Sequence, residues 1–464
     1  MAAEITVMKF GGTSLEDVAA FNRVARIIHA QDAPAKVVVV SAMSGVTDAL
    51  KASVQMAAAG KVSDALGSLD VHFDRHLKVI SDLDAVSQAT MHELIYKCRS
   101  EIAQQLRLAA TSRAPMPLIK DAIGSFGERL AANLLALVLK QCALPATYVD
   151  ARNCVVTNGE HGNAEPLIRE TRRRTRAALW PLLEKKKLPI LEGFVGASRA
   201  GVPTTLGRGS SNYTATLVGA ALRARKVQIW TDVTGVLTAD PRLVKAARTV
   251  PQLSYAEARE LASLGVRVLH PKMISPLLQQ KISLEICNSR RPEESGTLVS
   301  DRKDELTEGV KVIAHKTQMT AIDIKSTPAF LANGFRQAIE LLLMRHQTDL
   351  YVTGLSEDGA SLACTNERDL SRIIQDLNRL GSVGIQKNCA LVSCIGEGLH
   401  RSGRDAKVLH LLEETTPTLE WQGTSNISLV SVLDSDSVDS IVKNLHSALF
   451  EGEGYSSRTA TGQA

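Results

Sequence analysis

The chain has 464 residues, of which 44% are hydrophobic and 22% charged, with a formal net charge of +5. That length suits two to four domains, and so small a positive balance gives no reason to expect nucleic acid as a partner. Aromatics make up only 4%, so the core must be built from Leu, Val, Ile and Ala.

Seven cysteines (98, 142, 154, 287, 364, 389, 394) are scattered and include no CxxC pair, which argues against a disulfide framework or a metal site and for a reducing compartment. The N-terminus lacks a basic segment followed by an apolar core, so no signal peptide is expected. The best apolar run, LAANLLALVL (130–139), is short of the ~20 residues that span a bilayer and is interrupted by Asn133. A cytoplasmic protein without a membrane partner is the expectation.

EITVMKF (4–10) reads as a buried strand running into the turn GGTS. Residues 15–30 carry helical spacing, with Val18, Phe21, Val24, Ala25 and Ile28 on one face. KVVVVSA (36–42) is a second buried strand, followed by SGVTD and a mostly helical stretch over 46–142. The clusters RETRRRTR (169–176) and EKKK (184–187) read as a solvated helix face, since aromatics that could stack bases are scarce nearby. Strands recur at 146–150, 188–196 and 226–233, with a helix at 211–224. Apolar strands alternating with amphipathic helices predict a mostly parallel sheet covered on both faces. Ligands of such sheets sit beyond the strand C-terminal ends, where GGTS, SAMSG, GFVGAS and TDVTG fall. The stretch TTLGRGSSNYTATL (204–217) sets an arginine between glycines before a helix, a seat for anions.

Near residue 300 the composition turns charged and polar, as in a linker. Two βαββαβ-like passes follow, one from TAIDIK (320–325) to VGIQK and one from ALVSCIG (390–396) to a helix at 436–448. The tail EGEGYSSRTATGQA reads as disordered.

KFGGTS (9–14) resembles the opening motif of aspartokinases, in the amino-acid kinase superfamily. VVVVSAMSGVTD (37–48), GSFGERLAANLLA (124–136), TTLGRGSSNYTA (204–215), IWTDVTGVLTADPR (229–242) and VLHPKMISP (268–276) are similar to that family's segments in the same order. The C-terminal repeat resembles its paired ACT domains, and the whole most resembles the single-function, lysine-sensitive type. The resemblance implies a three-layer α/β kinase fold with a mostly parallel central sheet over 1–300. It implies a linker at 301–311, two ACT-like ferredoxin-like domains at 312–388 and 389–450, and a tail at 451–464. It also implies ATP-dependent phosphorylation of the L-aspartate side-chain carboxylate, with Mg2+, in a homodimer paired through the ACT domains.

On this resemblance Lys9 reaches the phosphates beside Gly11 and Gly12, and Thr231, Asp232 and Arg242 form the nucleotide segment. Ser41, Thr47 and Ser211 line the substrate pocket, Glu128 takes the substrate amino group, and Arg208 takes its α-carboxylate. Asp240 reads as a turn residue and His270 as structural.

Three positions depart from the family pattern. Where Gly-Arg-Gly-Gly-Ser-Asp is usual, the chain has Gly207, Arg208, Gly209, Ser210, Ser211 and Asn212. Ser210 would strain the loop if its φ had to be positive, at a cost of about 1 kcal/mol. Asn212 keeps an acceptor oxygen and loses the charge. Arg267, assigned to the catalytic set, stands where the family usually carries a lysine next to the nucleotide, and its planar fork is not a point charge. The effector segment DLYVTGLSE (349–357) also departs, with Tyr351 where an aspartate suits lysine's ammonium group, while Ser356 and Glu357 are kept. Weak or absent lysine inhibition is therefore expected. Two alternatives stay open at this point: a kinase with another carboxylate acceptor, and a catalytically degenerate, amino-acid-binding regulatory subunit.

Overall fold

The structure is a computed structural model that describes residues 4–207, 209–266, 268–301, 309–327, 334–346, 350–356, 358–365, 367–399, 408, 410, 420–421 and 427–451. Arg208, Arg267, Glu357, most of the expected linker and the expected tail lie outside the described residues. The chain divides into two compact units. The first comprises residues 1–236, 251–255 and 270–301, and the second 237–250, 256–269 and 302–464.

In the first unit the strands are β1 (Ile5–Phe10), β2 (Ala35–Val40), β3 (Ala146–Val149), β4 (Val156–Thr157), β5 (Leu188–Glu192), β6 (Val195–Ser198), β7 (Pro203–Thr205), β8 (Lys226–Thr231), β9 (Gln252–Ser254), β10 (Ser283–Asn288) and β11 (Thr297–Ser300). Among the described residues, eight of them form one sheet in the order β3-β5-β2-β1-β8-β10-β11-β9. Pairing is parallel from β3 through to β10, and only β10–β11 is antiparallel. The central strands are buried on both faces, as their unbroken Val, Ile and Leu runs require. β1 is the switch point, because the chain proceeds to β2 on one side of it and returns through β8 on the other. The 188–196 stretch, expected as one strand, is broken into β5 and β6 at Gly193–Phe194, where Phe194 takes φ 68°. β6 then joins β4 and β7 in a separate small sheet.

The helices of this unit are α1 (Val18–Ala30), α2 (Val46–Ala58), α3 (Val62–Gly67), α4 (Asp70–Ile80), α5 (Ala85–Ala110), α6 (Met116–Gly124), α7 (Phe126–Gln141), α8 (Ile168–Glu184) and α9 (Ser211–Leu222). α10 (Tyr255–Ser263) begins in this unit and continues in the second, and α11 (Pro271–Leu278) follows. α5 buries Met91, Ile95, Cys98, Ile102, Leu106 and Ala109, a three–four spacing that places one face on the core. The α6–α7 run, Met116–Gln141, is long and apolar enough to cross a membrane, but 78% of its most apolar window is buried inside the protein, so it reads as a core element.

The second unit holds β12 (Val312–Ser326), β13 (Leu350–Leu355), β14 (Gly359–Cys364), β15 (Gly381–Ile395), β16 (Glu420–Trp421) and β17 (Ser428–Asp434). They form a single antiparallel sheet in the order β13-β14-β12-β15-β17-β16, backed by α12 (Phe335–His346), α13 (Glu367–Leu377) and α14 (Val438–His446). VGIQK and ALVSCIG are therefore one long strand, β15, shared by both ACT-like passes. One apolar cluster gathers Ile322, Phe335, Ile339, Leu362 and Ile373, and another gathers Ile313, Val392, Leu429, Ile441 and Leu445. Ala239 and Val244 join the second cluster, which ties the 237–250 excursion to the C-terminal half.

Close approach of α7 to the turn after β2 depends on Gly127, where a Cβ would lie 2.8 Å from the Ala42 Cβ and 3.2 Å from Val46 Cγ1. Gly67, by contrast, has nothing within 4 Å of an added Cβ. Gly127→Ala is expected to lose about 1–3 kcal/mol by overpacking, whereas Gly67→Ala is neutral or stabilising by up to about 1 kcal/mol. Chemical denaturation of both variants checks the contrast, and equal stabilities would contradict it.

Candidate active site

The site grows from the C-terminal end of β1. Lys9 is the fifth of six buried residues in that strand and is itself only 8% exposed. Its Nζ lies over the following turn, where a Cβ on Gly11 would stand 3.6 Å from it. The Gly11 N–H donates to the Trp230 carbonyl at 3.1 Å, which stitches the turn to β8. Gly12 meets the other neighbour, since a Cβ there would lie 2.8 Å from the Ala42 carbonyl oxygen and no side chain fits. Ser41 N–H donates to the Phe10 carbonyl, and Ser44 N–H to the Gly12 carbonyl. The Ser14 hydroxyl, 2.7 Å from that of Ser289, brings in the end of β10.

Glu128 sits in the first turn of α7, a favourable place for an acid on a helix, and is 3% exposed. The Ala42 N–H bonds its carboxylate, while Oε2 is buried without a hydrogen-bond partner. Burial pushes its acidity up to about 7, and nearby Glu192 adds to the rise while Lys51 opposes it. Burial likewise pushes the Lys9 ammonium down to about 8, although Glu128 and Asp232 both draw it back up. Asp232 follows β8 and is exposed, and the Thr231 hydroxyl donates to its Oδ1 at 3.1 Å.

The helix α9 reaches the same end of the sheet through Gly193, where a Cβ would lie 2.6 Å from the Ser211 Cβ. Ser211 is buried, Asn212 follows it in the first turn, and the Phe194 N–H donates to Thr214 one turn further on. Ser210 adopts φ −78° and ψ 0°, so the strain that a positive φ would have imposed is absent. Gly207 and Gly209 carry the positive φ angles of this loop, 90° and 77°, and the Ser210 hydroxyl donates to the Gly207 carbonyl at 2.7 Å.

The structure thus brings Lys9, Gly11, Gly12, Ser41, Glu128, Thr231 and Asp232 to the switch point. Thr47 stands half-buried at the start of α2, and Ser211 and Asn212 stand at the start of α9. Arg242 lies in the second unit, where its guanidinium is paired with Asp240, and Asp240 also accepts the Arg242 N–H as a turn residue does. Tyr351 also belongs to the second unit, where its hydroxyl donates to the Ser263 carbonyl at 2.7 Å and accepts from Lys316 at 2.5 Å. Ser356 is exposed there, donating to Asp358. His270 caps α11 by accepting the Lys272 N–H, a structural role.

Sequence reading passed over two buried acids. Asp121 on α6 accepts from the Gly162 N–H, the His161 ring and the Thr205 hydroxyl, and so pins the 161–162 turn to β7. Glu192 ends β5, accepting from Tyr148 and the Ala151 N–H. An acid closing an apolar strand was the signal for it.

A profile of the Amino acid kinase family matches residues 4–288. Lysine-sensitive aspartokinase 3 of Escherichia coli (strain K12) is 32% identical, covering 97% of this chain and all of that protein. The chain belongs to the aspartokinase family. Among solved aspartokinases, the crystal structure of E. coli aspartokinase III in complex with aspartate and ADP superposes with a TM-score of 0.82 at 30% identity, over 96% of this chain and 100% of that one. Clostridium acetobutylicum aspartate kinase gives a TM-score of 0.75 at 25% identity, again over 96% and 100%.

The burial of Glu128 in this aspartokinase has a thermodynamic consequence. Its folded-state pKa of about 7 lies above the ordinary 4.5, so the stabilising bound proton is fully present below about 4.5 and lost as pH rises through about 7. The loss is on the order of 3 kcal/mol at most. Thermal melts of Glu128→Gln are expected to fall less between pH 5 and pH 7.5 than those of the parent, and parallel curves would contradict the burial argument.

Proposed function

We propose that this aspartokinase transfers the terminal phosphoryl group of ATP to the side-chain carboxylate of L-aspartate, giving 4-phospho-aspartate and ADP. A carboxylate oxygen attacks the γ-phosphorus, the bond to the bridging oxygen breaks, and its electron pair leaves on ADP. The observation that carries this reading is a buried ammonium group, Lys9, at the sheet's switch point beside a glycine turn and within the fields of Glu128 and Asp232. Such transfer needs positioning and charge neutralisation more than covalent help.

In this reading Lys9 holds the moving phosphoryl group, and Gly11 and Gly12 let the backbone approach the phosphates. Thr231 and Asp232 take the nucleotide. Ser41, Thr47, Ser211 and Arg208 hold the acceptor, Glu128 accepts its ammonium group, and Asn212 completes the transfer site. Among the described residues no three His, Cys, Asp or Glu side chains converge to hold a metal. Mg2+ would arrive on the nucleotide's phosphates. A homodimer through the ACT-like units and a cytoplasmic location belong to the same reading. No observation favours a non-catalytic subunit.

Aspartate-dependent ADP release, with hydroxylamine trapping of the acyl phosphate, tests the reaction. Lys9→Met is expected to lower kcat by about 10²–10³, and a variant retaining the parent's rate would remove Lys9 from the site.

The effector expectation is carried by Tyr351. The Lys316 ammonium lies 4.7 Å from the Tyr351 ring centroid as well as on its hydroxyl, so the chain's own lysine occupies the face where a ligand's ammonium would need a carboxylate. Calorimetric titration with L-lysine is expected to show weak or no binding, and tight binding would contradict this assignment.

A further inference from the structure

The turns after β1 and β2 are joined by an arginine that belongs to neither. Arg75, half-buried on α4, donates from Nη1 to the Ser44 carbonyl at 2.7 Å and from Nη2 to the Glu16 carbonyl at 2.9 Å. Glu16 and Ser44 hold matching places. Each comes just before a helix N-cap, Asp17 for α1 and Gly45 for α2. The N-cap carbonyl is the first that a helix uses, and the Asp17 and Gly45 carbonyls accept the N–H groups of Phe21 and Ala49. The carbonyls one residue earlier lie outside both helical ladders and are open to a donor from elsewhere.

Anchoring α4 does not account for these bonds. That helix already buries Phe73, His76, Val79 and Ile80, and its Asp70 pairs with Arg99 of α5 at 2.9 Å. Nor does the guanidinium stand where helices favour a cation, since it meets α1 and α2 at their N-terminal ends. What the two bonds do is fix a distance. A guanidinium is a planar fork with set N–H directions, so carbonyls bound to its two Nη atoms are held at one separation and orientation.

The fork works together with neighbouring contacts. The Ser44 N–H donates to the Gly12 carbonyl at 3.2 Å, so both polar groups of the Ser44 backbone are engaged in joining the turns. Glu16 is held a second time, its carboxylate accepting Arg290 Nη2 at 3.0 Å from the segment that follows β10. His72 Nδ1, one turn back on α4, lies 3.4 Å from Arg75 Nη1. The turn after β1 is thereby braced against the turn after β2 by Arg75 and against the end of β10 by Arg290.

We propose that Arg75 is a positioning residue for phosphoryl transfer, a fork that keeps the phosphate turn, with Gly11 and Gly12, in register with the acceptor turn that leads from Ser41 to Thr47. The inference rests on the reaction proposed above. Arg75 touches neither substrate. Without it each turn keeps its own groups and its own ligand, and what is lost is the alignment of one turn with the other. Transfer needs the reacting atoms about 3–3.5 Å apart and in line, and a misplacement of about 1 Å costs on the order of 10²-fold. Loss of the fork therefore acts on kcat and leaves each KM nearly unchanged.

The test is steady-state kinetics of aspartate-dependent ADP release, with thermal melts, on the parent, Arg75→Met, Arg75→Lys and Arg99→Met. The last variant loosens α4 without touching either turn, and it is expected to keep the parent's kcat. Arg75→Met is expected to lower kcat by about 10–100-fold, with the KM for ATP and for aspartate each within about threefold of the parent. Arg75→Lys keeps the charge and loses the fork, so it should recover little of that rate, and it serves as the second variant should Arg75→Met melt early. Parent-like kcat in either Arg75 variant, a loss carried by KM alone, or an equal loss in Arg99→Met would overturn the Arg75 inference and leave the reaction standing. A parent that releases no ADP in response to aspartate would overturn the proposed reaction, and this inference with it.

Discussion

The site depends on one electrostatic constraint, an ammonium group carried out of water at the end of β1. Burial pulls Lys9 down to about 8, and Glu128 and Asp232 draw it back up. The surrounding backbone arrangement follows from that need. Glu128 comes close only because α7 starts against the turn after β2, which requires Gly127, and the Ala42 N–H of that turn bonds its carboxylate. The Lys9 side chain runs over Gly11, and Gly12 presses on the Ala42 carbonyl, so the same turn serves the lysine and its counter-ion. In the proposed reaction, a phosphate would meet a charge that is already in place and poorly solvated, the condition under which a lysine contributes most.

Much of this was legible because parallel sheets announce themselves. Continuous Val and Ile runs alternating with amphipathic helices placed the polar turns at one end of the sheet, and Lys9 stood out as a lone cation closing a buried strand. The same logic applies to Glu192, which closes LPILE. It was hidden because the residues after it are again apolar, and LPILEGFVG reads as one unbroken strand. The break comes from Phe194 at φ 68°, a conformation that a bulky residue rarely adopts and that no local pattern signals. Here tertiary contact overrides propensity: Gly193 is jammed against Ser211, and the Phe194 N–H is bonded to Thr214.

Other features were illegible for different reasons. A glycine-rich loop shows that some residue takes a positive φ, not which one, so Ser210 could be judged only once Gly207 and Gly209 were seen to carry the left-handed turns. The 237–250 excursion packs Ala239 and Val244 into the C-terminal core, a long-range choice that leaves no trace in residues read a few at a time. Asp121 is of the same kind, since its three donors come from segments about 40 to 84 positions away.

The charge balance also gives the Asn212 substitution a definite physical meaning. Asn212 lies in the first turn of α9, where the helix N-terminus favours negative charge. An acid there would be stabilised by the helix. Asparagine leaves that region more positive, which favours a polyanionic nucleotide in the ground state and in the transition state alike. Such uniform attraction tightens binding without lowering the chemical barrier. On the family resemblance, what an acid would add is orientation of the cations around the moving phosphoryl group, an interaction realised mainly in the transition state. On the proposed reaction, the substitution therefore tightens nucleotide binding and lowers kcat together.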